Sequence, residues 1–362
     1  MTIEEFPQLP ELPKTPRPIV SIGAGGIVRD AHMPAYRIAG FPVHAVTDLD
    51  PARAGVLARD FGIPHVAASI EEAVALAPEG AVFDVAVPGR AILDVLCKLP
   101  DGAIVLMQKP MGETLADAQA ILDHCRAHGL TAAVNFQMRT APYVRLAREV
   151  IGRGLIGELH DVEMRVTTAT PWDLWPFLND IPRMEILYHS IHYLDTIRSF
   201  LGEPTAVLAK TMGHPRMPRI RQSRSTVILD YGDRVRATVT ANHGHDFGPE
   251  HQESYIKWEG TTGAIVAVMG LNLDYPKGRP DSFEVVTEET DGWRSIPLQG
   301  SWFPHAFIGP MASLMRFADG EIDRVPTGVE DAIRTMAVVE AAFLADERGG
   351  VAVPDDFGSA PS

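Results

Sequence analysis

Short apolar runs separated by stretches of helical periodicity dominate the first 140 residues. Ile19-Val20-Ser21-Ile22, Val43 to Thr47, Val82 to Val87, Ala103 to Met107 and Leu130 to Asn135 each read as strands. They are apolar without clean polar alternation, as strands covered on both faces are. Helix punctuation falls between them. Asp50-Pro51 is an N-cap followed by proline at the first helical position, Ser69-Ile-Glu-Glu72 has the form of a capping box, and Thr114 opens a helix that Gly129 closes. A glycine cluster after the first strand leads into a helical stretch that Pro34 is expected to break. Strands alternating with helices of about 10–15 residues predict βαβ units and a doubly wound parallel sheet.

The pattern changes after about residue 140. A helix over Pro142 to Gly152, a β segment over Leu159 to Thr168 and a helix around Met184 to Phe200 come first. Strands near 205–211, 224–231, 234–242, 252–259, 263–268 and 283–288 follow, with a hairpin signal at Asp230-Tyr-Gly-Asp233. Helices return near 307–318 and 328–346. Strands in succession with short turns predict a large, mostly antiparallel open sheet. The chain therefore divides into an arm over 1–17 bearing four prolines, a doubly wound domain over 18–138, an α+β domain over 139–353 and a tail over 354–362. The arm is expected to be disordered or laid over a neighbour.

Composition narrows the class. A chain of 362 residues suggests two or three domains, and 46% apolar residues suffice for cores without disulfides. Arg and Lys number 32 against 47 Asp and Glu, a formal charge of -15, which disfavours nucleic acid. The densest basic run, Arg216 to Arg224, is short and reads as a solvated loop. The cysteines, Cys97 and Cys125, both lie in apolar helical patterns and read as buried thiols in a reducing compartment. No apolar run is long enough to span a membrane, and the acidic, proline-rich opening lacks a signal-peptide core. A cytoplasmic protein is expected.

The first chemical signal is Gly23-Ala24-Gly25-Gly26-Ile27-Val28, directly after the first strand. It fits G-x-G-x-x-G/A except for Val28. Gly23 permits a tight turn, and Gly25 lets the backbone approach a pyrophosphate at a helix N-terminus. Asp48 ends the second strand, where a carboxylate binds ribose hydroxyls and repels a 2′-phosphate. The reading is an NAD site, with NADP disfavoured, drawing on Gly23, Gly25, Gly26, Ile27 and Asp48. The second signal is Gln108-Lys109-Pro110 at the carboxyl end of a parallel strand, the ligand-binding end of such sheets. Pro110 restricts Lys109 to extended backbone.

These segments, with His32-Met-Pro-Ala35, Asn135-Phe-Gln-Met-Arg139, His192-Tyr-Leu-Asp195 and Trp258-Glu-Gly-Thr-Thr-Gly263, resemble the Gfo/Idh/MocA family of oxidoreductases. The resemblance runs from Pro18 to about Val353. It implies a dinucleotide-binding domain over 18–138 and a substrate domain over 139–353, whose open sheet joins a homodimer or homotetramer. It also implies oxidation or reduction of a sugar, cyclitol or related polyol. Lys109 takes the family's catalytic lysine position and His192 its catalytic histidine; Pro88 and Pro110 flank the cofactor. Three positions differ from the family pattern: Tyr188 where an Asp is frequent, Ile92 where a histidine is frequent, and Gln108 where Glu is usual.

On an α-helix Tyr188 and His192 would share a face. The expected reaction is hydride transfer from a carbinol to nicotinamide, with His192 as base, Lys109 on the reacting oxygen and Tyr188 beside them. Trp172 and Trp175 are candidates to line a sugar pocket, Arg183 to hold a carboxylate, and His189 to sit at the rim. His189 and His192 lie three apart and His243 and His245 two apart, but with no cysteine joining them no metal site is expected. The fold leaves two alternatives: a non-catalytic dinucleotide-binding sensor, or a redox-neutral enzyme that recycles tightly bound NAD.

Overall fold

A computed structural model describes residues 2–175, 178–179, 181–275 and 277–351. The expected tail over 354–362 lies outside them. Among the described residues, six strands form a parallel sheet: β1 (Ile19–Ile22), β2 (Val43–Thr47), β3 (His65–Val66), β4 (Val82–Val85), β5 (Ile104–Met107) and β6 (Thr131–Val134). Their order is β3-β2-β1-β4-β5-β6. The direction of winding reverses between β1 and β4, which opens a crevice at the strands' carboxyl ends. Helices α2 (Pro51–Phe61), α3 (Ile70–Leu76), α4 (Ile92–Leu96) and α5 (Leu115–Ala127) connect the strands. The caps act as the sequence predicts. Asp50 accepts from Ala52 N–H, Ser69 from Glu72 N–H and Thr114 from Asp117 N–H. The two-residue strand β3 is too short to leave a periodic signal.

The first helix departs from expectation. Pro34 does not break it; a π-turn over Val28–His32 runs directly into α1 (Met33–Ala39), with Pro34 in its first turn. Pro34 stands where the widened turn passes into α-helix, so the regular i→i−4 bond that its missing N–H would break is not called for there. The wide turn begins at Val28, which is fully buried where the motif would place a small residue.

The second sheet has eight strands among the described residues, in the order β14-β13-β12-β11-β7-β10-β9-β8. They are β7 (Leu159–Thr167), β8 (Ala206–Met212), β9 (Arg224–Asp230), β10 (Arg236–Asn242), β11 (Glu253–Gly260), β12 (Ala264–Val268), β13 (Ser282–Val286) and β14 (Arg294–Ser295). Every pairing is antiparallel except β7 with β10, because β7 sits in the middle of the sheet between two strands that come later in the chain. Alternate side chains, including Val162, Met164, Val166, Val239 and Trp258, turn inward and are buried. Helices α6 (Pro142–Gly152), α7 (Ile191–Leu201) and α9 (Val329–Arg348) supply apolar residues to the same core, while α8 (Ile308–Ala318) packs on the parallel sheet near β5 and β6.

Two smaller expectations change. The arm lies along its own chain: Phe6 is buried, the Gln8 side chain donates to Pro297 O and accepts from Gln299 N–H, and Arg17 pairs with Asp319. Cys97 is exposed, because α4 ends one residue before it; Cys125 is buried, and burial pushes its thiol up to about 12.

One ion pair ties the two sheets together. Arg139, in the short turn after β6, donates from Nε and Nη2 to both carboxylate oxygens of Asp195 on α7, at 2.6 and 2.5 Å. Asp195 is buried and also accepts from Thr335 Oγ1 on α9 at 2.7 Å. Bidentate geometry and an extra hydrogen bond are what a buried pair needs to offset its desolvation. Asp195→Ala leaves Arg139 only Asp331 as a carboxylate partner among the described residues. It should destabilise the protein by about 3 kcal/mol, read as a lower urea midpoint at unchanged slope.

Candidate functional site

The glycine turn follows β1 and is shaped by contact with the β4 end. Gly23 has φ +116°, and a Cβ there would stand 2.4 Å from Ala86 O. Only glycine combines that conformation with that approach. A Cβ on Gly25 would meet nothing within 4 Å, and one on Gly26 only the Asp30 carboxylate at 3.8 Å. Backbone at the start of a helix thus borders open space on the crevice side of the sheet, the form that receives a pyrophosphate. Ile27 is half-buried beside it. Asp48 is held by backbone on both oxygens: Oδ2 accepts from Ala24 N–H at 2.7 Å and Oδ1 from Asp50 N–H at 2.8 Å. Each oxygen keeps a lone pair for a ribose hydroxyl. The residues therefore fit a dinucleotide.

Lys109 sits on a buried polar chain that sequence reasoning did not find. Asp84 on β4 accepts from Tyr36 OH at 2.9 Å and faces His32 Nδ1 at 2.7 Å. A carboxylate only accepts, so the His32 proton is on Nδ1 and Nε2 is an acceptor. Gln108 Nε2 lies 2.6 Å from that nitrogen, and Gln108 Oε1 accepts the Lys109 N–H at 3.0 Å. The Lys109 amide thereby sets which way the Gln108 amide points, and Asn135 Nδ2 adds a 3.3 Å contact to His32. Here lies a physical reason for Gln108. It donates to His32 while accepting from Lys109, and a carboxylate could not do both. His32 in the His-Met-Pro-Ala segment was the available signal, but its partners are remote in sequence.

Lys109 follows the parallel sheet and His192 lies on α7 of the second layer, and the charge of the first acts on the second. Lys109 Nζ donates to Tyr188 O at 2.5 Å and lies 5.9 Å from the Tyr188 ring centroid. Burial lowers the ammonium pKa to about 8. His192 is 6% exposed, and burial, reinforced by the Lys109 charge, holds it well below the usual histidine range. Its Nε2 is 3.5 Å from Gln137 Nε2, while its Nδ1 and Gln137 Oε1 are buried without hydrogen-bond partners. Trp302 stands edge-on to the ring, centroids 6.1 Å apart. Gln137 and Arg139 belong to one turn, so the Arg139–Asp195 pair also sets Gln137 against His192.

Tyr188 differs from expectation. Its hydroxyl donates to Glu113 Oε1 at 2.9 Å, and it meets Lys109 through its carbonyl. The cause is a π-turn over Glu185–Ser190 ahead of α7. An extra residue in the turn shifts the α-helical phase that would set Tyr188 and His192 on one face. Ile92 is fully buried in the α4 core. Pro88 caps the short turn after β4, and a Cβ on Gly89 beside it would stand 3.0 Å from Gly112 O and 3.3 Å from Pro110, so the β4 and β5 loops lie against each other. Trp172 is buried with its ring edge on His243, and Trp175 is half-buried beside Tyr275. Arg183 pairs with Glu340 and Glu347 of α9 and lies over Phe343, so its charge is engaged by the helix. The histidines do not assemble as their spacing suggested. His189 turns to His243, with ring centroids 4.2 Å apart, and to Glu185, whereas His245 Nε2 faces Glu250 O. Among the described residues no helix is long and apolar enough to cross a membrane.

With this geometry established, known proteins supply the wider context. Residues 18–136 match the family model described as an oxidoreductase family with an NAD-binding Rossmann fold, and residues 144–266 match the GFO/IDH/MocA C-terminal domain. D-apiose dehydrogenase of Rhizobium rhizogenes is 25% identical over 332 residues, covering 86% of this chain and 90% of the relative. D-xylose 1-dehydrogenase (NADP(+)) 2 of Haloferax volcanii is 25% identical over 335 residues, covering 91% and 97%. The crystal structure of an oxidoreductase from Agrobacterium radiobacter in complex with NAD+, L-tartaric acid and magnesium superposes with a TM-score of 0.75 at 23% identity, covering 93% of this chain and 98% of that one. Both sheets, the glycine turn and both halves of the sequence agree: the chain belongs to the Gfo/Idh/MocA family of NAD(P)-dependent oxidoreductases.

Proposed function

We propose that this protein is an NAD-dependent dehydrogenase that moves hydride between a carbinol of a sugar or related polyol and nicotinamide, with Lys109 and His192 at the reacting oxygen. The observation that carries the reading is the pairing of a buried ammonium with a buried imidazole whose Nδ1 has no protein partner. Buried polar atoms are normally hydrogen-bonded, so that nitrogen and Gln137 Oε1 are suited to substrate hydroxyls. The relatives named as sugar dehydrogenases support the substrate class.

The residues divide the work by charge. Gly23, Gly25, Gly26 and Ile27 would hold the pyrophosphate, Asp48 the ribose, and Pro88 and Pro110 the walls beside the ring. The bound dinucleotide supplies the hydride acceptor. His192 stays neutral at physiological pH and takes the hydroxyl proton. Lys109, held by Tyr188 O, directs its remaining N–H bonds to the same oxygen and stabilises the alkoxide. Tyr188 is a positioning residue whose carbonyl aims the ammonium. Asp48 favours NAD by repelling a 2′-phosphate.

Reduction of NAD and NADP, followed by absorbance against a panel of aldoses, anhydrosugars and cyclitols, tests the activity. Saturable turnover on at least one polyol is expected; dinucleotide binding without turnover across the panel would instead mark a sensor. Lys109→Ala and His192→Ala should each lower kcat by about 100-fold or more with the fold intact by circular dichroism, and full activity in either refutes its role. The Lys109 ammonium exists below its lowered pKa and is lost above it. The rate constant kcat/KM for oxidation should therefore hold through neutral pH and fall as pH rises through about 8; a profile still climbing beyond that point removes the ammonium from the mechanism. Asp48→Ser should lower the NAD-to-NADP preference in kcat/KM by about tenfold, and an unchanged ratio would assign the choice of cofactor to other residues.

A further inference from the structure

Hydride transfer makes no use of a second polar cluster a short way along the same turn. Glu185 opens the π-turn before α7, His189 follows on it, and His243 stands just past the end of β10. Glu185 and His243 are fully buried, while His189 is 22% exposed in its side chain. Glu185 Oε1 lies 3.3 Å from His243 Nε2 and 3.8 Å from His189 Nδ1, and the three ligand atoms all fall within 4.8 Å of one another. Four ligands at about 2.0–2.1 Å from a tetrahedral ion stand roughly 3.3–3.4 Å apart, so the Glu185–His243 separation already fits and His189 has to move inward. We propose that Glu185, His189 and His243 form a binding site for a divalent cation of the zinc class, with a fourth coordination position left for water or a substrate oxygen.

Three further observations point to a cation. First, the buried Glu185 carboxyl accepts from two hydroxyls, Ser190 Oγ at 2.6 Å and Ser225 Oγ. Yet among the described residues no lysine or arginine forms an ion pair with it. A buried acidic side chain facing two histidines and no basic side chain suits a metal cation. Second, His189 Nδ1 is buried and makes no hydrogen bond, although it faces the carboxylate. Third, His243 has the outer contact that metal-bound histidines commonly have: its Nδ1 lies 2.8 Å from Thr170 Oγ1, leaving Nε2 toward Glu185. The Trp172 ring edge, 5.1 Å from the His243 centroid, closes the apolar side.

Two histidines and one carboxylate with one open position is the donor set of a catalytic-type zinc site. The exposed ligand, His189, directly follows Tyr188, whose carbonyl receives Lys109 Nζ. An oxygen bound at the open position would therefore stand near the carbinol assigned to Lys109 and His192. This anchoring role rests on the dehydrogenase reading; the metal site does not.

The full chain, stripped with EDTA and passed over chelating resin, is titrated with Zn2+ by calorimetry and with Co2+ by visible absorption. One equivalent of Zn2+ per chain and the d–d bands of a tetrahedral Co2+ centre are expected, and zinc should accompany the untreated protein in elemental analysis. Thr170→Val, a nearly isosteric change outside the ligand set, should weaken Zn2+ binding by about 10- to 100-fold. Glu185→Gln and His189→Ala should weaken it further; His189 is partly exposed, so His189→Ala remains informative if Glu185→Gln fails to fold. No saturable binding to the wild-type chain, or binding that survives all three substitutions, overturns the proposal. Neither readout involves turnover, so a metal-binding protein inactive on every polyol would sink the dehydrogenase reading alone.

Discussion

The buried fork of Arg139 onto Asp195 is the constraint on which the site depends. Lys109 is delivered by the parallel sheet and His192 by a helix packed on the other sheet. Their approach is no more accurate than the joint between those two bodies. Arg139 leaves the first body directly after its last strand and reaches both oxygens of a carboxylate one helical turn past His192. A bidentate pair resists rotation as well as separation. The Gln137 contact to His192 comes from the same turn, so the interaction that docks the domains also sets a side chain beside His192.

On the lysine side, precision comes from polar satisfaction under the strand ends. Asp84 decides the tautomer of His32, His32 decides the orientation of Gln108, and Gln108 receives the amide of Lys109. Each link is buried, and a wrong tautomer or a flipped amide would leave polar groups unpaired, a cost of about 1–3 kcal/mol per group. The same burial acts on the two functional groups. It opposes charge on Lys109 and on His192 alike, and their mutual repulsion adds to the effect at His192. Desolvation thus favours a neutral imidazole beside a lysine near the point of losing its proton.

Several features of this site were legible in the chain and others were not. The strands of the parallel sheet other than β3, and the glycine turn with Asp48, rest on local punctuation: apolar runs, caps, and glycines where a backbone must bend sharply; Lys109 and His192 were marked by the resemblance to the family. The parallel pairing of β7 with β10 was not legible, because strand succession says nothing about a strand inserted from elsewhere in the chain. The π-turns were missed at both places, since an assumed α-helical phase misplaces every side chain in a widened turn. Tyr188 changed role for that reason, and Arg183 found its partners on a helix more than 150 residues away.

The sequence by itself determined most of the secondary elements and the dinucleotide-binding turn, because each is encoded by neighbours in the chain acting through backbone sterics and periodic burial; the two residues proposed to meet the substrate came from the resemblance to the family. Only the tertiary structure decided which polar groups pair in the interior. His32 with Asp84, Arg139 with Asp195, and Glu185 with His243 join residues 52 to 58 positions apart. Such pairs are selected by the need to satisfy buried donors and acceptors once the layers have closed, and that requirement leaves no local trace.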